Sequence, residues 1–225
     1  MTPAVWFALL ATDAVIGALL FGAAGTLQWP AAWVFLAEVA GSSLALTIAL
    51  ARDDPALLAE RMKPPVQREQ APFDRIVMPL LLVLFPLWLI LMGLDAGRFH
   101  WSAVPVWLQA LGGVTFLGAM WIIHLAVRAN TFAAPVVKIA TERGQHVISS
   151  GPYAIVRHPM YAGVLVYFVS AAVLLGSWYG CVGSLVLAAV LVVRTVLEER
   201  ELTQKLEGYA AYAAHVRYRF VPFLW

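Results

Sequence analysis

The stretch that decides the fold runs from Met160 to Leu197, MYAGVLVYFVSAAVLLGSWYGCVGSLVLAAVLVVRTVL. Its 38 residues contain one charged side chain, Arg194. A hydrocarbon core ~30 Å thick is crossed by ~20 apolar residues, so one helix of this length, roughly 57 Å, would be almost twice too long. Gly176-Ser177-Trp178-Tyr179-Gly180, near its middle, supplies turn formers and interfacial aromatics. The stretch reads as a tight hairpin of two spans.

Four further apolar runs lie upstream, near Ala4–Leu27, Ala31–Leu50, Ile76–Leu94 and Val104–Val127. The expectation is an all-α, multi-pass membrane protein with six spans. Residues 1–225 form a single membrane-embedded domain, with spans one to four in 1–127 and the chemistry in 128–225. Composition agrees: 62% of the 225 residues are hydrophobic and 12% charged, about half the charge of a soluble domain. Mean hydropathy is +0.80. The lone Cys181 excludes an internal disulfide, and a net charge of +2 carries no nucleic-acid footprint. The N-terminal run lacks a basic leader and has span length, which reads as a span rather than a cleaved signal. Pro79 and Pro86 are expected to kink span three.

Charge placement sets the orientation. Of 15 Lys and Arg residues, 14 fall in three places: the loop after span two, the loop after span four, and the end of span six. Six spans put all three on one face, and the positive-inside rule makes that face and both termini cytoplasmic.

Two stretches on that face carry candidate chemistry. In Gln145–Gly163, QHVISSGPYAIVRHPMYAG, Gly151-Pro152 forms a turn. Pro159 suits the first position of a helix, whose free N–H groups can hold an anion. Arg157 and His158 could instead be plain interfacial anchors. In Arg194–Tyr212, RTVLEERELTQKLEGYAAY, Arg194 and Glu198 share a helical face at i, i+4 and are expected to pair or to divide a charged ligand between them. Glu199 and Glu201 read as a solvated face. Asp13 and Glu38, inside spans, are expected to hydrogen-bond between helices. His124 and Asn130, near the cytoplasmic end of span four, are candidates to line an acceptor pocket. No Cys/His/carboxylate set suggests a metal, and no GxGxxG suggests a soluble dinucleotide-type site.

Together the two stretches resemble the isoprenylcysteine carboxyl methyltransferase family, integral-membrane enzymes that use S-adenosyl-L-methionine. The matching elements are Gln145–Ile148, Gly151-Pro152-Tyr153, Arg157-His158-Pro159-Met160-Tyr161, Arg194, Glu198-Glu199 and Gly208 with Tyr212, within Lys138–Trp225. Lipid N-methyltransferases share much of this pattern. The resemblance implies cofactor contacts at Lys138, Gln145, His146, Val147, Ile148, Tyr153, Arg157, His158, Pro159, Met160, Tyr161 and Glu198, and an acceptor-binding Arg194, to which the position of His124 and Asn130 adds two candidates. It implies methylation of a carboxylate on a lipophilic, isoprenylcysteine-like acceptor that enters from the bilayer, with membrane lipids as neighbours. The rivals are a phospholipid or other lipid N- or O-methyltransferase, and a non-catalytic transporter or assembly protein on the same scaffold.

Overall fold

The computed structural model describes residues 2–225. It contains no strand among them, and the chain is all-helical. In chain order the helices are α1 (Pro3–Ala24), α2 (Pro30–Asp53), α3 (Pro55–Arg61), α4 (Asp74–Met92), α5 (Val106–Ala129), α6 (Pro159–Leu174), α7 (Trp178–Lys205) and α8 (Tyr209–His215). α4 runs through Pro79 and Pro86 and continues as a π-helical segment, Gly93–Phe99.

Proline opens α1, α2, α3 and α6, where a missing N–H costs nothing and its fixed φ already suits a helix. The long apolar stretch breaks at Leu175-Gly176-Ser177. Gly176 takes φ +83°, and the Ser177 hydroxyl accepts from the Gly180 N–H to cap α7. Asp95 sits at the same end, fully buried. It accepts from the hydroxyls of Ser102 and Ser177 at 2.7 and 2.5 Å, tying the π segment to the hairpin turn.

Five helices are long and apolar enough to cross a membrane: α1, α2, α4 with its π extension, α5 and α7. The sixth expected span, α6, has 16 residues and reaches only about 24 Å at 1.5 Å per residue. Length and composition therefore mark five candidate spans, with α6 as a shorter apolar helix. α6 starts late because His158-Pro159 holds the preceding chain out of helix, and it ends early at the Gly176 turn.

The core lies where α1, α2, α4, α5, α6 and α7 meet, around Leu20, Phe35, Trp88, Leu89, Met92, Phe116 and Leu187. α5 and α6 make the closest approach. A Cβ on Gly112 would stand 2.6 Å from the Leu174 backbone nitrogen, and one on Gly163 would stand 2.7 Å from Ile123 Cγ1 and 3.1 Å from the Ala119 carbonyl oxygen. Between helices in lipid, where no hydrophobic effect drives association, such backbone proximity is a main source of packing energy. Gly163→Leu is therefore expected to cost about 1–3 kcal/mol through overpacking, read as a lower thermal midpoint in detergent. Gly118→Leu, with open space around that position, should leave the midpoint unchanged.

Asp13 and Glu38 do not form the expected interhelical hydrogen bonds among the described residues. Glu38 Oε2 is enclosed without a partner, and the α5 residue facing its carboxylate is Gly113, which offers no side-chain donor.

A cleft at the basic end of the bundle

The C-terminal ends of α2, α5 and α7 and the N-terminal ends of α4 and α6 gather at one end of the bundle. A strap, residues 130–148, crosses this end without long helices of its own. Arg61 Nη1 donates to the Ala133 carbonyl at 2.8 Å, the Ala71 N–H to the Val137 carbonyl at 2.8 Å, and the Val137 N–H to Asp74 Oδ2 at 2.7 Å. Within the strap, the Ala140 N–H donates to Gln145 Oε1 at 2.6 Å. α8 closes the other side through Leu206, Tyr209, Tyr212 and Val216, packed on Val147 and Ile139 of the strap.

Strap, α6, α7 and α8 enclose a cleft of about 820 Å³ including its open mouth. Of the residues singled out in the sequence, Asn130, Lys138, Gln145, His146, Val147, Ile148, Tyr153, Arg157, His158, Met160, Tyr161 and Glu198 line it. Pro159, Arg194 and His124 are outside its wall. Pro159 is buried at the first position of α6, and His124 is half-buried and stacks on Trp121 with ring centroids 5.8 Å apart. Phe132, Val136 and Tyr209 also line the cleft. Sequence reasoning did not single these out, because apolar residues and a tyrosine beside an amphipathic helix look like ordinary packing.

At the cleft floor the Tyr161 hydroxyl donates to Glu198 Oε2 at 2.7 Å, and the His158 ring stacks parallel on Tyr161, centroids 5.5 Å apart. The first turn of α6 has no side-chain cap, so its N–H groups keep the anion-binding character of a helix start. Above it, burial pushes the Tyr153 phenol up to about 12 against a hydrogen bond with Asn130, keeping it neutral at physiological pH.

Three expected charge roles are corrected. Arg194 does not pair with Glu198. Its Nε donates to Asp74 Oδ1 at 2.8 Å, and its Nη2 reaches Asp74 Oδ2 at 3.2 Å and the Pro135 carbonyl at 2.8 Å. The i, i+4 spacing allowed a pair, but Asp74 on α4, with no exposure at all, offers two carboxylate oxygens in a drier place. Glu199 is not on a solvated face. It is 9% exposed, its Oε1 accepts from Arg157 Nε at 2.5 Å and lies 3.2 Å from His158 Nε2, and its Oε2 accepts from Arg219 Nε at 2.8 Å. Lys138 borders the cleft, yet its ammonium is spent on Glu60 at 2.6 Å and Gln67 Oε1 at 3.2 Å.

Burial alone would raise the Glu60 carboxyl. The ammonium groups of Lys138 and Lys63 outweigh it and hold the group below its ordinary 4.5. A carboxyl depressed on folding contributes stability that is complete above its unfolded value and is lost as pH falls through the lower folded one. The strap should thus stay anchored above pH 4.5 and loosen only below it. Limited proteolysis within residues 130–148 across pH 3–7 reads this, and Glu60→Gln should cleave readily at every pH.

The structure is a multi-pass helical bundle with a polar cleft under a strap at its basic end, and the Tyr161–Glu198 hydrogen bond lies in the cleft wall. Residues 107–209, from α5 through the strap, α6 and α7 to the start of α8, match the family model described as phospholipid methyltransferase. Among curated proteins, none matches the chain.

Proposed function

We propose that the protein is an S-adenosyl-L-methionine-dependent methyltransferase whose cleft holds the cofactor and whose acceptor is a lipid-borne group arriving from the bilayer. The observation that carries this reading is the cleft itself, where a half-buried carboxylate, a bare helix N-terminus and three aromatic rings converge. The cofactor carries a carboxylate, an ammonium, ribose hydroxyls, an adenine and a sulfonium. The α6 N-terminus suits the carboxylate, Glu198 the ammonium or hydroxyls, and Tyr153, His158 and Tyr161 offer faces to the adenine or to the cation.

The bound cofactor supplies a methyl group on a positively charged sulfur, which passes to the acceptor atom as the carbon–sulfur bond breaks and the thioether is released. The protein's part is alignment and exclusion of water. Strap and α8 close over the cleft, and the Glu199 network fixes Arg157 and His158 in place. Arg194, 5.7 Å from the Tyr161 ring centre, would hold the acceptor, with Asn130 at the start of the strap. In the membrane, α6 serves as the sixth pass despite its length, so that both termini and all three basic clusters share the cytoplasmic face.

A carboxylate acceptor, as in isoprenylcysteine, fits a guanidinium partner and needs no general base, being ionised at pH 7. One observation favours a second reading. Asp74 neutralises Arg194 through a two-point contact, so the floor does not repel an amine, and a phospholipid amine is compatible with it. Titration of the purified protein with S-adenosyl-L-methionine tests the cofactor. Label transfer from methyl-labelled cofactor into a membrane lipid extract then separates ester from N-methyl products by alkaline lability. Folded protein that binds no cofactor would return the chain to the non-catalytic alternatives.

A further inference from the structure

The Asp74–Arg194 contact reaches further than a fold-stabilising ion pair. Asp74 opens α4 and Arg194 lies in α7, 120 residues later, with side-chain exposures of 0% and 6%. Burying two charges costs several kcal/mol per ion before their attraction is counted, and apolar residues of similar volume often stabilise as well or better. Stability alone is a weak reason for the pair.

Donor arithmetic gives a stronger one. Arg194 has five N–H groups. One, on Nε, goes to Asp74 Oδ1, and the two on Nη2 go to Asp74 Oδ2 and the Pro135 carbonyl. The two on Nη1 have no partner among the described residues. Asp74 Oδ2 meanwhile accepts from Gln70 Nε2 at 2.8 Å and the Val137 N–H at 2.7 Å, so the carboxylate cannot swing without breaking the strap. We infer that Asp74 is a positioning residue for Arg194, holding the guanidinium so that its Nη1 edge alone is left to bind an oxygen of the acceptor head group.

The inference rests on the proposed methyl transfer and adds to it. The pair is neutral overall, so Arg194 selects by directed hydrogen bonds to an oxygen, carboxylate or phosphate, rather than by net positive charge. Asp74→Asn separates the two duties of the carboxylate. The amide oxygen can still accept from Val137 and Gln70 in the Oδ2 position, while its NH₂ in the Oδ1 position meets the Arg194 Nε–H with donors.

The test is a double-mutant cycle with Asp74→Asn and Arg194→Gln. Methyl transfer is measured to an S-prenylated N-acetylcysteine and to phosphatidylethanolamine vesicles, and the cofactor dissociation constant by titration. Each single variant is expected to lose about tenfold or more in acceptor kcat/KM, with cofactor affinity changed less than about threefold. The double variant should be no worse than Arg194→Gln alone, because a residue acting through another has no effect once that other is gone. Asp74→Glu, which keeps the charge but moves it by one methylene, should bind cofactor and lose acceptor efficiency, and it serves where Asp74→Asn does not fold. Additive losses, or a cofactor affinity that falls with the rate, would make Asp74 a structural anchor of the strap and overturn the inference. Full activity in Arg194→Gln overturns it as well, by removing Arg194 from the acceptor. Failure of the wild-type protein to bind cofactor or to methylate either probe is a different result, and it sinks the methyltransferase reading itself.

Discussion

Glu199→Ala is expected to release the C-terminal tail and to cost about 3–5 kcal/mol, the range for removing one partner of a buried ion pair. The carboxylate holds three nitrogen groups at once, from Arg157, His158 and Arg219. Without it, two guanidinium ions stay in a pocket where Glu199 was their only carboxylate among the described residues. The tail depends on the same centre. Arg157 Nη1 donates to the Val216 and Arg217 carbonyls at 2.8 Å, and the N–H groups of Arg157 and His158 donate to the Tyr218 and Arg219 carbonyls at 2.9 Å. Loss of the carboxylate thus frees both the charged and the backbone side of the joint. Glu201→Ala is the internal control. Its contact with Lys205, 2.6 Å long with the lysine 54% exposed, is a surface i, i+4 pair worth about 0.3–0.5 kcal/mol. The thermal midpoint in detergent and the rate of proteolysis within residues 216–225 read both variants. A Glu199→Ala protein that melts and is cleaved like wild type would show that the tail docks by its apolar contacts alone, through Phe220 on Tyr161 and Leu191.

The difference between Glu198 and Glu199 marks the limit of what the sequence made legible. Hydropathy identified the helices because a membrane imposes a minimum apolar length, and it found the hairpin because no single helix could contain Met160–Leu197. The spacing of Gly151-Pro152-Tyr153 and Arg157-His158-Pro159 located the loop and the start of α6, since proline and glycine fix backbone shape locally. Most of the cleft wall was legible for that reason: it is built from one continuous segment and one helix face. Charge partners were not legible. Arg194 looked toward Glu198 because both lie on one helix, whereas its partner Asp74 arrives from another helix that no local period connects to it. An acidic residue in the first turn of α4 reads equally well as a response to the helix dipole. Glu199 is one residue, about 100°, around the helix from Glu198, enough to turn it from the cleft toward the tail. Only the docked tail, which carries Arg219, makes that face a buried one. Lys138 fails in the same manner, because Glu60 comes from α3, more than 70 residues earlier.

For Glu198, removal of the carboxylate should weaken cofactor binding about tenfold to a hundredfold, the range for a hydrogen bond to a charged group. Its Oε2 is engaged by the Tyr161 hydroxyl, and its Oε1 has no hydrogen-bond partner among the described residues while the side chain lines the cleft. Glu198→Ala takes away both oxygens and the charge. Glu198→Gln keeps an oxygen able to accept from Tyr161 and removes the charge alone. If the carboxylate faces the cofactor's ammonium, the two variants should lose affinity to a similar degree, because an amide presents no charge and turns an N–H₂ toward a cation. If it accepts from ribose hydroxyls, Glu198→Gln should retain much of the affinity and Glu198→Ala should not. Tyr161→Phe adds a third arm. It leaves the charge in place and only loosens the carboxylate, so it should lose less than Glu198→Ala. Titration of wild type and the three variants with S-adenosyl-L-methionine, and with its demethylated product, reads these outcomes. Equal affinity for all variants and wild type would place the cofactor away from the floor, toward the strap and α8.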